Sequence, residues 1–321
     1  MPSLKEIKNR VASVNSTLKI TSAMKMVAAA KLHKAQTAIG NMLPYQEMLY
    51  GMLGKLMTYR QAAMVSEEPL EEPRDEFQDE FQDEEKEPTV QEELDILYSS
   101  RPVHKVAIVA YSSNSSLCGG FNSSAIKHVT AIIDEYLASG LSAEDIAVFS
   151  VGRKMADAMK KKGFVSPADY THLADKPGYE EASKLATELV HGFMTGRFDK
   201  VELSYNHFRS TASQPPVRET YLPFAPVNDT EKTGNAESFD YIVEPDVDTI
   251  LEELLPKVLM LKMYTVQLDT NAAEHAARTL AMQTATDNGN EILQELTLEY
   301  NKGRQQKITS EILDLVGGSM Q

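Results

Sequence analysis

The residues best suited to chemistry by type and spacing are one cysteine in a glycine-bearing loop and seven scattered histidines. The loop, residues 117–122 (Leu-Cys-Gly-Gly-Phe-Asn), follows an apolar run and precedes a helical pattern, which is where a nucleotide-binding turn would lie. It lacks the G-x-G-x-x-G spacing, and no P-loop lysine follows. The two glycines therefore indicate a tight structural turn. No histidine or aspartate is placed to activate Cys118, which indicates a packed free thiol.

The other reactive side chains form no catalytic or metal-binding pattern. His275 follows Glu274, but the H-E-x-x-H spacing is absent, and the remaining histidines stand apart. No pair of carboxylates stands out, and no Cys/His cluster has metal-ligand spacing. The sequence therefore predicts no catalytic residue, no metal and no cofactor. The elements that carry these residues are more informative.

Charge is distributed unevenly along the chain. The formal net charge is −15, but residues 67–95 hold fifteen acidic and two basic side chains, and residues 1–60 carry +7. Basic segments can bind nucleic acid, but residues 1–40 contain no aromatic side chain for base stacking, so no nucleic-acid partner is predicted. No run of eighteen apolar residues exists, so no membrane-spanning helix is predicted. A single cysteine excludes an internal disulfide and fits a reducing compartment.

Residues 66–93 form an acidic, proline-containing insertion with a repeated Glu-Phe-Gln-Asp-Glu. Low hydrophobicity and like charge predict a solvated segment that does not pack. Two interpretations remain open, a tolerated surface loop and a regulatory or docking element.

The N-terminal segment has the pattern of a coiled-coil helix. Ser3 can cap its start, with Glu6 bonding back. A heptad seam follows, and beyond it a second stripe contains small and flexible residues. The seam consists of Leu4, Ile7, Val11, Val14 and Leu18, and the stripe of Ala23, Met24, Val27, Ala28 and Leu32. We expect Pro44 to kink this helix, which should end near Arg60.

The C-terminal segment 249–316 also has helical periodicity, and at about 1.5 Å per residue such a helix is roughly 100 Å long. It cannot bury its apolar stripe on itself, so it needs the N-terminal helix as an antiparallel partner. Gly289, Gly303 and the small residues Ala272, Ala276 and Ala285 are expected to weaken a simple coiled coil.

The middle of the chain alternates short apolar runs with helical patterns, which is typical of an α/β layer with a mostly parallel sheet. Strands are predicted at 103–110, 146–151, 200–208 and 217–222, with a last short one at 241–243, and helices at 124–137, 152–162 and 179–194. The predicted fold class is α/β plus a long antiparallel coiled coil, with a Rossmann-like centre. The predicted units are a helix at 1–60, the acidic insertion at 61–100, the α/β domain at 101–245 and a helix at 246–321.

Three separate parts of the chain, in order, are close to the signatures of one family. They are residues 3–8 with 19–32, the loop 117–122, and the C-terminal runs 274–278, 281–282, 285–288, 298–312 and 316–318. On these residues the chain resembles the γ subunits of bacterial F-type ATP synthases from end to end, apart from the acidic insertion.

The resemblance implies a rotating central stalk that couples proton or other ion flow to ATP synthesis or hydrolysis. Its coiled coil would lie inside a ring of α and β subunits, and its α/β domain would join the ε subunit and the membrane rotor ring of c subunits. ATP chemistry would occur on the β subunits, so this chain would be non-catalytic and hold no cofactor. It would lie peripherally at the cytoplasmic face of the bacterial plasma (inner) membrane.

The resemblance also implies contact residues. Met24 and Arg278 match family positions that contact β, and Arg304, Gln305 and Thr309 match a group that contacts α and β. Asn114-Ser115-Ser116 stands where the family often has Asp-Arg-Gly, which puts any role of that charged pair in doubt. Two other functions stay open from the residues alone, a coiled-coil adaptor with an α/β head in another assembly and an α/β enzyme using a nucleotide near Gly119.

Overall fold

Two very long helices, a four-stranded sheet and several shorter helices make up the part of the chain that the computed structural model describes, residues 3–66, 96–224 and 242–319. The elements in chain order are α1 Leu4–Ser66, β1 Val106–Tyr111, α2 Phe121–Ala138, β2 Ile146–Val151, α3 Arg153–Lys161, α4 Thr171–Asp175, α5 Tyr179–Met194, β3 Lys200–Asn206, β4 Pro216–Leu222 and α6 Val247–Ser319. We call the paired helices α1 and α6 the shaft, and residues 103–224 the head.

The two shaft helices are antiparallel and in heptad register. Leu4 of α1 packs at Gly303 of α6, and Leu18 packs at Gly289, so a step of 14 residues along one helix matches a step of 14 along the other. Fourteen residues are two heptads, the repeat that keeps a coiled-coil seam facing its partner. The shaft is therefore the coiled coil that the apolar spacing predicts.

Side-chain caps fix where the shaft helices begin. The hydroxyl of Ser3 accepts a hydrogen bond from the Glu6 amide at 3.2 Å. The carboxylate of Asp246 accepts bonds from the Thr249 amide and hydroxyl, both at 2.8 Å. Each cap satisfies an amide that has no partner within its own helix.

The sheet has the strand order β2-β1-β3-β4. β1 is parallel to both of its neighbours, and β4 pairs antiparallel with β3 at one edge. All six residues of β1 are buried, as expected for a central parallel strand covered on both faces. Helices α2 and α3 cover one face, and α5 with the shaft covers the other. The sheet is therefore mostly parallel, as predicted.

The head and the near part of the shaft share one hydrophobic core. Leu53 of α1, Phe149 of β2, Leu189 of α5 and Leu255 of α6 are all completely buried in the same cluster. Burying one such side chain contributes about 1.5–3 kcal/mol. The apolar core therefore holds the head on the shaft.

The predicted bounds of β2 and α5 match the structure, whereas those of β1 and β3 were too long. Residues 103–105 lie outside β1 because the Asp199 carboxylate accepts the backbone N–H groups of His104 and Lys105 at 2.9 and 2.8 Å. Phe208 lies outside β3 because its N–H is donated to the Asp269 carboxylate at 2.8 Å. In both places a side chain takes the hydrogen bonds that the ladder would need.

Three predictions about the helices and the last strand were wrong or lie outside the described residues. α1 does not end near Arg60 but continues through Pro44 to Ser66, since Gln-Ala-Ala-Met at 61–64 favours helix. Residues 242–243 are not a strand, and Tyr241 lies outside the described residues. Apart from Ser66, the acidic insertion 66–93 also lies outside them. The five-residue helix α4 was not predicted.

The apolar stripes of the shaft were predicted with mixed success. All five residues of the seam Leu4–Leu18 are buried or half-buried. In the second stripe, Ala28 and Leu32 are buried, but Ala23 and Val27 are exposed because the seam continues in its original heptad register through Thr21 and does not shift to include them. Gly289 and Gly303 do not weaken the pairing but make room for leucine side chains of α1.

Candidate coupling site

A groove of about 260 Å³ opens where α1 and α6 meet the loop after β1 and the end of α4. Met24 of α1 and Arg278 of α6 both line it. Each neighbouring element adds a polar side chain, Lys31 from α1, Ser115 from the loop and Asp175 from α4. The structure therefore brings two of the five predicted contact residues together beside the head.

Arg278 binds the loop after β1 to the shaft. Its guanidinium donates to the Ser116 carbonyl at 2.6 Å, the Ser115 hydroxyl at 2.8 Å and the Glu274 carboxylate at 2.6 Å. The residue is only 9% exposed. Ser115 and Ser116 thus supply neutral acceptors to Arg278, while Glu274 supplies the counter-charge.

Burial governs the titration of the two residues next to Arg278 on α6. It raises the pKa of the Glu274 carboxyl, and the Arg278 guanidinium opposes that shift. Burial, followed by the charges of Lys31 and Arg278, lowers the pKa of His275 to about 4, and Asp175 opposes it weakly. His275 is therefore neutral at pH 7, and its Nδ1 has no hydrogen-bond partner among the described residues.

The loop 117–122 is a tight turn that packs on α6. Gly119 has φ +59° and Leu117 has φ +69°, in the left-handed region that glycine adopts readily. The Asn122 amide donates to the Ser115 carbonyl at 3.2 Å and to the Cys118 sulfur at 3.1 Å. Cys118 is buried, and with Phe121 it packs against alanines of α6. The loop's polar groups are thus used within the loop itself, which fits a structural turn.

No group of three or more His, Cys, Asp or Glu side chains that could hold a metal ion occurs within residues 3–66, 96–224 and 242–319. Over the same residues, no helix is both long and apolar enough to cross a membrane.

The other three predicted contact residues lie far from the groove. Arg304, Gln305 and Thr309 are exposed on α6, and at 1.5 Å per residue Arg304 lies about 40 Å along the helix from Arg278. α1 begins at Leu4, opposite Gly303, so α6 continues beyond it without this partner. We call residues 304–319 the tip.

Three polar residues of α6 that the sequence analysis did not single out also contact the head. Asp269 binds the β3–β4 connection, and Gln267 and Asn271 bind α4. The sequence pattern does not distinguish them, because they are only two amides and one carboxylate within a mostly apolar stretch of a helix.

Comparison with known proteins places the chain in a family. A family model described as ATP synthase matches residues 3–320. Proteins named ATP synthase gamma chain are 51% identical over 320 residues in Phocaeicola vulgatus and 48% identical over 323 residues in Bacteroides fragilis, each match covering 100% of both chains. The chain belongs to the ATP synthase gamma chain family. A further gamma chain, from Flavobacterium johnsoniae, is 38% identical over 99% of this chain and 98% of the relative.

Solved ATP synthases contain chains with the fold of this chain. A chain of the Euglena gracilis mitochondrial enzyme (OSCP/F1/c-ring) has a TM-score of 0.57 at 18% identity and covers 99% of this chain and 93% of the other. A chain from the central stalk and c-ring of the Tetrahymena thermophila enzyme has a TM-score of 0.50 at 21% identity, covering 83% and 99%. At these identities the likeness shows the fold alone, and the predicted fold class is confirmed.

Membership in the gamma chain family establishes the role of the chain within ATP synthase. It is the rotating stalk subunit, and it is not a catalytic subunit. The predicted family and function are therefore confirmed, and the nucleotide-using enzyme and the adaptor for another assembly are set aside.

Proposed function

We propose that this chain carries torque between a membrane rotor ring and a ring of α and β subunits. The observation that carries the proposal is the stiff two-helix shaft that shares a core with the head at one end and ends in a single helix at the other. A paired shaft resists bending and twisting more than one helix does. Rotation of the head would thereby reach the tip.

The tip supports insertion into a ring of partner subunits. Ile308, Ile312 and Leu315 follow one another at helical spacing and are all exposed. Arg304, Gln305 and Thr309 lie among them as exposed polar side chains. We propose that these three polar residues contact the α and β subunits, and that the exposed apolar side chains turn against the inner surface of the ring.

The groove supports a second contact with the ring. Met24, which is half-buried, and Arg278, which is buried, both line this groove, so we propose that this region contacts β. Coupling then rests on the shaft favouring a different conformation in each β subunit, which is a difference in contact energy. Arg278 acts in part by holding the loop 113–118 in place, because its hydrogen bonds are made within the chain.

The head is proposed to join the ε subunit and the ring of c subunits, with the complex peripheral at the cytoplasmic face of the plasma membrane. The working units are proposed to be residues 1–66 and 246–321, which contain the shaft, residues 101–245, which contain the head, and an insertion between residues 66 and 101, with the first boundary moved from Arg60 to Ser66 where α1 ends. Catalysis would remain on β, and the driving ion would be a proton or another ion.

Reconstitution with α and β tests this function directly. The ring of α and β subunits is fixed to a surface. A probe is attached to an exposed site on helix α3 in the head of this chain, and ATP is added. We expect the probe to rotate in one direction, and hydrolysis to slow when the probe is held still. Native hydrolysis with a stationary probe, or a chain that does not co-purify with α and β, would overturn the proposal.

A further inference from the structure

Three connections of the head contact α6 within one short stretch, residues 267–278. They are the loop after β1, the helix α4 that follows β2 and α3, and the β3–β4 connection. The strands β1, β2 and β3 are parallel, so these connections all follow their carboxyl ends and lie at the same edge of the sheet. The apolar core lies nearer the beginning of α6, at residues 251–266.

The contacts at this edge are directional hydrogen bonds. Asp269 accepts from the Phe208 amide at 2.8 Å and pairs with His207 Nδ1 at 2.6 Å. Gln267 donates to the Leu173 carbonyl at 2.6 Å, and Asn271 donates to the Ala174 carbonyl at 3.2 Å. Both carbonyls belong to the last turn of α4, where they lack partners within that helix.

These contacts approach α6 from opposite sides. Successive residues of an α-helix are about 100° apart around its axis. Gln267, Asn271 and Arg278 therefore lie within about 40° of one another, whereas Asp269 lies about 160–180° away from them. The α4 end and the loop after β1 hold one side of α6, and the β3–β4 connection holds the other.

On the Asp269 side, a phenylalanine ring adds a steric contact. The hydrogen bond that the Phe208 N–H donates to Asp269 fixes the backbone of Phe208, and the ring packs against two pairs of buried alanines on α6. One pair also contacts Leu32 of α1, and the other contacts Cys118 and Phe121 of the head. The ring therefore lies among both shaft helices and the start of α2.

We propose that Asp269 with Phe208 on one side of α6, and Gln267 with Asn271 on the other, form a torsional clamp that fixes the angle between head and shaft. Apolar contacts are non-directional and permit sliding, whereas hydrogen bonds from two sides oppose rotation in either sense. Asp269, Gln267 and Asn271 are thus positioning residues for torque transfer. The inference rests on the proposed function, because the clamp matters only if torque passes through the head.

The test measures torsional stiffness in the assembled complex. The chain is reconstituted with α and β, the ring is stalled with a non-hydrolysable ATP analogue, and the angular spread of a probe on α3 is recorded. We expect Asp269→Ala to increase the angular variance at least two-fold. Asp269→Asn retains an acceptor for the Phe208 amide and should stay close to native.

Glu135→Ala is the matched control, because Glu135 lies near the end of α2 and pairs with Arg218 of β4 rather than with α4 or α6. His207→Ala removes the exposed half of the Asp269 contact and should give an intermediate variance, which keeps the test decisive if Asp269→Ala fails to assemble. Unchanged variance in both Asp269→Ala and His207→Ala would overturn the clamp even if the melting temperature fell. The proposed function fails separately, if the native complex does not rotate with ATP.

Discussion

Leu18 of α1 occupies the space that a Cβ atom on Gly289 of α6 would need. An ideal Cβ at Gly289 would lie 2.7 Å from Leu18 Cδ2, closer than Cβ atoms approach other atoms in proteins, and 3.2 Å from its Cγ, which is a tight contact. The glycine therefore lets the two helix axes come close at this level, and the leucine fills the gap.

Replacing Gly289 by alanine tests whether positions 18 and 289 are energetically coupled. Alanine is favoured over glycine in a helix by about 1 kcal/mol, but overpacking costs about 1–3 kcal/mol. We expect Gly289→Ala to give no gain in the free energy of unfolding in the native chain, but to stabilise a Leu18→Ala chain. The double-mutant cycle, measured by denaturant unfolding, should yield a coupling of at least about 1 kcal/mol.

Gly51→Ala on α1 is the control for that cycle. A Cβ at Gly51 meets no atom within 4 Å, so only the helix preference acts and the chain should gain up to about 1 kcal/mol. An equal gain at Gly289 and Gly51 would show that Leu18 moves away at no cost, contrary to the packing described.

Removing Arg278 should affect both stability and coupling. Arg278→Ala leaves Glu274 buried without its counter-charge, and breaking such a buried pair costs about 3–5 kcal/mol. The loop 113–118 also loses two hydrogen bonds. We expect lower ATP synthesis and ion-pumping efficiency in membrane vesicles, with the catalytic residues of β unaffected. Unchanged efficiency would remove Arg278 from the coupling contacts.

The Arg278→Ala defect should depend on pH and be partly reversed by a second change. Burial already raises the pKa of Glu274 above its ordinary value of 4.5, and without Arg278 it rises further. Folding then favours the protonated acid, so the penalty is absent below pH 4.5 and grows as the pH rises. Glu274→Gln carries no charge, and in the Arg278→Ala chain it should recover stability at pH 7 but little at pH 4.

His275 should impose an acid limit on stability. Its pKa is about 4 in the folded chain against 6.5 in a free histidine. The folded state binds a proton at His275 less readily than the unfolded state does. The contribution of neutral His275 to the free energy of unfolding is therefore full above pH 6.5 and is lost as the pH falls toward 4. We expect His275→Gln to flatten this part of a melting-temperature profile. His104→Gln, at an exposed position in the head, serves as the control for the histidine-to-glutamine change itself.

Substitutions at the tip should weaken assembly without unfolding the chain. Arg304, Gln305 and Thr309 are exposed, so replacing all three by alanine should change the free energy of unfolding by less than about 0.5 kcal/mol per residue. Binding to the α/β ring should weaken, and rotation-coupled hydrolysis should fall. Lys257→Ala, which removes an exposed charge from α6 far from the tip, should do neither.

Local patterns predicted much of this fold. The seam Leu4–Leu18 was recognisable because a heptad repeat depends only on nearby residues, and β2 and α5 because their apolar runs are short and well bounded. The family signatures then placed Met24 and Arg278, and the structure adds that they share a groove.

Contacts between distant parts of the sequence could not be predicted in this way. Gly289 was interpreted as a weak point because the leucine that fills its space lies 271 positions earlier. Asp269 resembles an ordinary surface carboxylate until the β3–β4 connection reaches it. The same contact ended β3 before Phe208, so one unpredicted hydrogen bond accounts for both a wrong strand end and a missed positioning residue.

The pairing of the first helix with the last has a consequence for biosynthesis. Leu4 packs at Gly303, so the tip-side end of α1 has no partner until almost the whole chain has been made. At about 5–20 residues per second, synthesis of the intervening segment takes roughly 15–60 s. During that time the apolar seam of α1 is exposed beside the emerging head. Partner proteins or chaperones that cover an apolar helix would therefore act on the N-terminal helix of the growing chain rather than on the finished shaft.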